Sequence, residues 1–347
     1  LKYFSIRGGD RMKKRGISIR ELSELSGFSP ATVSKALNAK KGVSKETADK
    51  ILRLAKETGY INENKIDEIR LVIYKKYGSI VSETPFFSEL IEGIEKECRE
   101  NDMSMSVLNL RPNDMDFETN LRIILEDSSA AILLLATELD EEDVEIFRNA
   151  IAPVVILDSW FYSQKFDTVI INNSDSVKYL VDYLVEKGHK EIGYIRSSVP
   201  IQNFFYRYDG YVRGMRCYQL PIKEEYHVSL SPTLDGAYKD MMEYLSITRK
   251  MPTAYIADND IIALGAMKGL KENGFKIPDD ISIVGFDNLT YCDISSPGLT
   301  TIHVYKHEVG KAAVRRLIEK IKYIDQAYQK IEICTAFVER DSVKDLN

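Results

Sequence analysis

The sequence is poor in the residues on which enzyme, metal and membrane readings rest. Its four cysteines, Cys98, Cys217, Cys292 and Cys334, lie far apart with no CxxC pair, which excludes a zinc knuckle or dithiol motif and reads as four buried thiols. Only four histidines occur, and His303 and His307, four apart, lack the HExxH context of a metal-binding helix. No metal and no cofactor is expected. The absence of GxGxxG, GxxxxGK and GxSxG removes support for nucleotide hydrolysis and serine-hydrolase chemistry, and the chain does not read as an enzyme. The longest apolar run, Ala130 to Ala136, has seven residues, far short of the ~20 that cross a bilayer, so no membrane partner is expected. The opening LKYFSIRGGDRMKKRG has charge but no apolar core of a secretory signal, and a cytoplasmic location is expected. With 10 prolines in 347 residues and 44% hydrophobic residues, collagen-like and disordered readings fail and two or three globular domains fit.

Charge is present, and unevenly. Residues 1–60 hold 14 Lys/Arg against 6 Asp/Glu, a balance of +8, whereas residues 61–347 hold 33 against 47, a balance of −14. A small basic head before a large acidic body suits a polyanion such as DNA at the head; a solvated lysine-rich surface is the alternative.

The head carries its own punctuation. In SIRELSELSGFSPATVSKALN, Ile19, Leu22 and Leu25 stand at helical spacing, and Ser18 with Glu21 forms a capping-box pair. Gly27 closes this helix, and Ser29-Pro30 supplies the cap and first-turn proline of the next. On the second helix Val33, Ala36 and Leu37 face inward, which leaves Pro30, Ala31, Thr32, Ser34 and Lys35 outward. Small and hydroxylated side chains with one cation suit a major groove: Ser29, Thr32, Ser34 and Asn38 on phosphates, Lys35 on a guanine edge. Ser18, Pro30 and Ala31 complete the DNA-facing set. A third helix follows from Ser44, with Ile51, Leu54 and Ala55 as its stripe.

After Arg70, apolar runs such as LVIYKKY, AAILLLAT and PVVILD alternate with amphipathic stretches, and a second set (TVIIN, EIGYIRSS, EYHVSL, TAYIAD, ISIVGFDN) repeats the rhythm. The alternation predicts two parallel α/β sheets, with helices at 87–101, 117–126, 140–149, 175–187, 207–218, 233–247 and 259–272. Ligands of such sheets bind at the carboxyl ends of the strands, so two facing lobes create a cleft. Asp258-Asn259-Asp260 resembles a DxD metal motif but has no partner carboxylate at ligand spacing; a helix N-cap explains it.

The head run from Ser18 to Tyr60, with T-V-S-K-x-L-N and V-S-x-E-T at their separation, resembles the DNA-binding head of the LacI/GalR family of bacterial transcription regulators. The resemblance continues through PFFSELIEGIEKEC, DYLVEKGHKEIGYI, PTAYIADNDIIALGAMKGLKENGFKIPDDISIVGFDN, PGLTTIH and FVERDS. It implies an all-α helix-turn-helix head joined to a two-lobed, periplasmic-binding-protein-like (type I) α/β domain with parallel sheets. The implied boundaries are an extension at 1–16, the head at 17–60, a short linker at 61–69, a sensing domain at 70–340 and a tail at 341–347. One lobe takes 70–172 and 301–323, the other 173–300 and 324–340, with crossings near 172–175, 299–301 and 324–330.

The resemblance also implies a homodimer that binds a double-stranded operator and a small effector, by default a saccharide. Positions matching the family's effector pocket are Phe86, Phe87, Asp158, Arg207, Asn259 and Asp287, with Trp160 among extra aromatics near the cleft (Phe161, Tyr162, Phe204, Phe205, Tyr206) that either stack on sugar or pack the lobes. Asp and Asn pair with vicinal hydroxyls, Arg supplies a planar fork, and aromatic rings cover apolar sugar faces. Some purine-sensing relatives carry Arg and Thr where this chain has Ile201 and Asn203, which disfavours a purine. Two departures stand out. GYINENKIDEIRLVIY lacks the proline and A-R-x-L of the family's hinge helix and carries Glu63, Asp67 and Glu68, which predicts little minor-groove wedging; Ile66 and Ile69 remain apolar candidates for it. Asn172 replaces the usual aspartate at the first crossing. A sugar-binding protein without DNA regulation, and a carbohydrate enzyme using Asp158 and Asp287, are the competing readings; the first leaves the head without a use, and the second lacks any other catalytic motif.

Overall fold

The structure, a computed structural model, describes residues 18–37, 42–57, 66–82, 84–247, 250–323 and 327–347. The chain divides into two compact units between Ile66 and Asp67.

The first unit is a three-helix head. Helix α1 (Ile19–Ser26) starts at Ser18, whose hydroxyl accepts the Glu21 N–H while the Glu21 carboxylate accepts the Ser18 N–H at 2.5 Å. Gly27, at φ 71°, ends it in the left-handed conformation that glycine adopts without a Cβ penalty. In α2 (Pro30–Leu37) the Ser29 hydroxyl accepts the Thr32 N–H at 3.2 Å, and α3 (Lys45–Glu57) follows Ser44, which caps Thr47 in the same way. Leu22, Val33, Ala36, Ile51 and Ala55 form the buried centre, with Phe28 packed against it from the turn.

The second unit runs β1 (Glu68–Tyr74), α4 (Phe86–Glu100), β2 (Ser104–Leu110), α5 (Phe117–Glu126), β3 (Ala130–Leu135), α6 (Glu141–Glu145), β4 (Val154–Leu157) and β5 (Asp167–Ile171). It continues with α7 (Asn173–Glu186), β6 (Ile192–Ser197), α8 (Gln202–Cys217), β7 (His227–Leu230), α9 (Leu234–Ile247), β8 (Ala254–Ala257), α10 (Asp260–Glu272), β9 (Ser282–Val284) and α11 (Tyr291–Ile294). The chain then adds β10 (Thr301–His303), α12 (Lys306–Lys322), β11 (Lys330–Ile333) and β12 (Ala336–Val338). One sheet has the order β11-β5-β4-β3-β1-β2 and the other β7-β6-β8-β9, every pair parallel, with β10 and β12 as an antiparallel ribbon. The two-lobed architecture read from the sequence is the one observed. Strands β3 and β4 are buried along their whole length, which is why AAILLL and VVIL read as unbroken apolar runs rather than alternating ones.

Several boundaries differ from expectation. Strand β1 begins at Glu68, inside the expected linker, and Ile69 is fully buried in it, so Ile69 is no candidate for a minor-groove wedge. The rest of the expected hinge, residues 58–65, lies outside the described residues. Strand β11 belongs to the first sheet, pairing Ile331 with Val169 and Ile333 with Ile171, so the last crossing follows Ile333 and 330–333 leave the second lobe. Its Lys-Ile-Glu-Ile alternation suits a half-exposed edge strand, a weak signal in four residues. Thr300 bridges Val284 at the end of β9 and His303 of β10 bridges Asp287 just beyond it, so 301–303 stay with the second lobe and the crossing falls after His303. Helix α8 starts at Gln202, five residues early, because Ile201 at its N-cap offers no side-chain cap to mark the start. Cys98 and Cys292 are buried as expected, whereas Cys217 and Cys334 are exposed.

Candidate functional site

In the head, Pro30, Ala31 and Lys35 are exposed on α2, and Thr32 and Ser34 are half-buried beside them. Ser18 and Ser29 are exposed N-caps, with the Ser29 and Thr32 hydroxyls 2.9 Å apart. Asn38 lies outside the described residues. The outward face of α2 therefore offers short side chains and one long cation, a shape that lets a helix approach base edges closely.

In the body, six of the seven residues assigned to ligand, namely Phe86, Phe87, Asp158, Arg207, Asn259 and Asp287, converge on one cavity between the lobes. Trp160 is the exception. Its ring lies 6.0 Å from that of Tyr206 with the Lys330 ammonium 4.0 Å above it, and the Tyr206 hydroxyl donates to the Trp160 carbonyl at 3.2 Å. Trp160 thus packs lobe against lobe outside the cavity. Phe161 is in the core of the first lobe, and Tyr162 and Phe205 are largely exposed.

The cavity wall also includes Ile80, Thr84, Thr137, Ile201, Asn203 and Phe204. Thr137, Asp158, Asn203, Arg207 and Asp287 of this wall are joined, through Asn173, in one chain of hydrogen bonds. The Thr137 hydroxyl, after β3, donates to Asp158 Oδ2 at 2.7 Å, and Asn203 Nδ2, on α8, donates to Asp158 Oδ1 and to its carbonyl, each at 3.0 Å. Asn173 Nδ2 donates to Asn203 Oδ1 at 3.0 Å, and Arg207 Nε donates to Asn173 Oδ1 at 2.9 Å. Arg207 Nη1 reaches the Asp258 carbonyl at 2.6 Å, Nη2 lies 3.5 Å from Asp287 Oδ1, and the guanidinium lies 3.7 Å from the Phe286 ring centre. Asn259 caps α10 through the Ile262 N–H. The space these side chains leave is narrow.

Local backbone and electrostatics mark this wall. Asp158, Asp287 and Asn288 all take positive φ, at 62°, 114° and 52°; non-glycine residues hold such angles at a cost that the surrounding structure must impose. Burial pushes the Asp158 carboxyl up to about 6, against the opposing pull of the Thr137 hydrogen bond, the Arg207 charge and the Asn203 hydrogen bond. Burial likewise raises Asp287, with Arg207 and Lys306 pulling the other way, and raises Asp258 to about 6. Lys306, buried at the start of α12 with its ammonium 3.4 Å from Glu89, is a charge that sequence reasoning passed over. Thr137 was passed over too, and Asn203 was noted only as a departure from purine-sensing relatives; the signals for their roles were a hydroxyl two residues after β3 and an amide four residues before Arg207.

Two recognised patterns match parts of the chain. Residues 18–63 match the bacterial regulatory proteins of the lacI family, and residues 181–343 match the periplasmic binding protein-like domain. The HTH-type transcriptional repressor PurR of Mannheimia succiniciproducens is 30% identical over 331 residues, 94% of this chain and 98% of that protein. The chain belongs to the lacI family. It is a DNA-binding transcriptional repressor of that family with a ligand-binding domain, and not an enzyme. Its fold matches the transcriptional regulator CelR in complex with cellobiose at a TM-score of 0.72, with 21% identity over 94% of this chain and 99% of that one. It also matches the lac repressor dimer bound to operator and the anti-inducer ONPF at 0.70, with 19% identity over 95% and 100%. Among the described residues no helix is long and apolar enough to cross a membrane, and no cluster of three metal-ligating side chains occurs.

Proposed function

We propose that this lacI-family repressor acts in the cytoplasm as a homodimer on a pseudo-palindromic operator, and that a small polar ligand held between the lobes controls it. Two copies of one head give the symmetric, doubled contact that a single short α2 cannot. Ser29, Pro30, Ala31, Thr32, Ser34, Lys35 and Asn38, with Ser18, carry the DNA contacts, and Phe86, Phe87, Asp158, Arg207, Asn259 and Asp287 carry the ligand contacts. The observation that supports the ligand reading is the single chain of polar groups from Thr137 to Asp287, flanked by Phe86, Phe87 and Phe204. Such alternation of carboxylate, amide and guanidinium beside aromatic rings favours a saccharide.

A purine-related effector is the second reading, favoured by the name PurR of the curated relatives. The chain's Ile201, an apolar side chain on the cavity wall, and Asn203, whose amide is engaged with Asp158 and Asn173, weigh for the saccharide.

Selection from a random double-stranded DNA pool at fixed salt tests the regulator, because a symmetric enriched site is expected and sequence-blind binding would refute it. Titration of the full chain with cellobiose, simple hexoses and free purine bases, followed by the fluorescence of Trp160, the single tryptophan, separates the two effector classes. Saturation by a purine base and by no sugar would replace the saccharide.

A further inference from the structure

Glu138 is 1% exposed, directly follows the cavity residue Thr137, and forms no ion pair among the described residues. Its carboxylate is instead enclosed by backbone. Oε2 accepts the N–H groups of Tyr77 and Gly78, each at 2.7 Å, and Oε1 accepts those of Ile80 and Val81, each at 3.1 Å. Gly78, at φ 74°, gives the turn the left-handed residue that lets successive N–H groups point to one side. Consecutive amides turned inward in this way form an anion-binding concavity, and here the anion belongs to the protein.

We infer that the loop 77–81 is an anion cradle filled by Glu138, and that Glu138 is the positioning residue of the cavity's first-lobe wall. The loop leads from β1 to Ile80 and Thr84, which line the cavity, and then to Phe86 and Phe87 at the start of α4. Four N–H donors on one carboxylate fix this path from the end of β3, while the neighbouring Thr137 orients Asp158. One dipeptide, Thr137-Glu138, thereby sets two separate parts of the wall. The charge is required, because only a carboxylate offers acceptors on both oxygens; a glutamine of the same size turns its NH₂ against one pair of N–H donors. The importance of this wall for ligand rests on the effector reading above, whereas the cradle itself does not.

Hydrogen exchange of the full-length chain, read on the segment 75–82 without any ligand, tests the cradle. The Tyr77, Gly78, Ile80 and Val81 amides are expected to be protected in the wild type and to exchange about tenfold faster or more in Glu138→Ala. Sodium formate at tens of millimolar is expected to restore protection to Glu138→Ala, with formamide, and sodium chloride at equal ionic strength, unable to do so. Glu138→Gln, which keeps the volume, is expected to lose protection at one pair of amides and to regain none with formate; it carries the test if the alanine variant fails to fold. Wild-type amides that exchange like an open loop, a folded Glu138→Ala blind to formate or rescued equally by formamide, or a Glu138→Gln indistinguishable from the wild type would each overturn the inference. None of these outcomes depends on whether the effector is a saccharide.

Discussion

Asn203 holds Asp158 at two points, its single Nδ2 lying 3.0 Å from both the carboxylate Oδ1 and the backbone carbonyl. Asp158 follows β4 of one sheet and Asn203 begins α8 behind β6 of the other, so this contact fastens lobe to lobe across the cavity. If this cavity is the ligand site, a ligand that parts the lobes has to break this contact, which makes it a natural point for ligand and lobe movement to compete.

Breaking the fastening should therefore open the lobes. Asn203→Ala removes the donor, and Asn203→Asp sets a second carboxylate against Asp158. Because Trp160 is held against Tyr206 on α8, its quenching by acrylamide reports the opening. Quenching is expected to rise in the order wild type, alanine, aspartate. Identical quenching in all three would show that the lobes are held elsewhere.

The raised Asp158 pKa has a stability consequence of definite sign. The carboxyl titrates near 3.8 when unfolded and near 6 when folded, so between these values the folded state holds more protons and stability falls as pH rises. The shift corresponds to roughly 3 kcal/mol at full extent. Asp158→Asn cannot ionise and should lose this slope. Urea denaturation at pH 4.5 and 6.5 is expected to show the variant gaining on the wild type at the higher pH; an equal difference at both pH values would remove Asp158 as the cause. Asp258, raised to about 6 as well, leaves a residual slope of the same sign in both proteins.

What the sequence revealed, and what it concealed, follows from the range of the interactions. Ser18 with Glu21, Gly27 and Ser29-Pro30 act within one turn, so the head was legible residue by residue. Phe86, Asp158, Arg207, Asn259 and Asp287 were read from their match to the family's effector pocket, and their places at strand ends and helix starts agree with a common cleft. Asn203 and Thr137 gain their roles only from the closeness of the lobes, which no local pattern encodes. Trp160 was misplaced for the same reason: an aromatic after a strand end suits stacking on a ligand, but Lys330 and Tyr206, distant in sequence, occupy its faces.

The seam between α7 and α8 sets where Asn203 and Arg207 meet Asn173, and Gly210 allows its closeness. A Cβ at Gly210 would collide with the backbone carbonyl of Ser174, which no rotamer change can relieve. Gly210→Ala is expected to cost about 1–3 kcal/mol by overpacking, despite alanine's better helix propensity. Equilibrium urea unfolding measures this, and a variant as stable as the wild type would mean that the helices separate freely. Trp160 fluorescence on the same samples distinguishes a displaced α8 from a destabilised but undisturbed one.

On α2, the roles of Lys35 and Ser29 can be separated because one side chain is exposed in the last turn of the helix and the other caps its start. If Lys35 reads a guanine edge, Lys35→Ala should weaken the selected operator by about 1–3 kcal/mol and relax choice at one position of each half-site. Ser29→Ala removes the hydroxyl that accepts the Thr32 N–H, so about 1 kcal/mol of helix stability should be lost and binding should fall without a change in sequence preference. Operator titrations at several salt concentrations complete the distinction. Loss of a lysine from a base edge leaves the salt slope nearly unchanged, whereas loss of one from a phosphate lowers its magnitude by about 1 per head. Relaxed preference with an unchanged slope assigns Lys35 to base reading, and a reduced slope with intact preference moves it to the backbone.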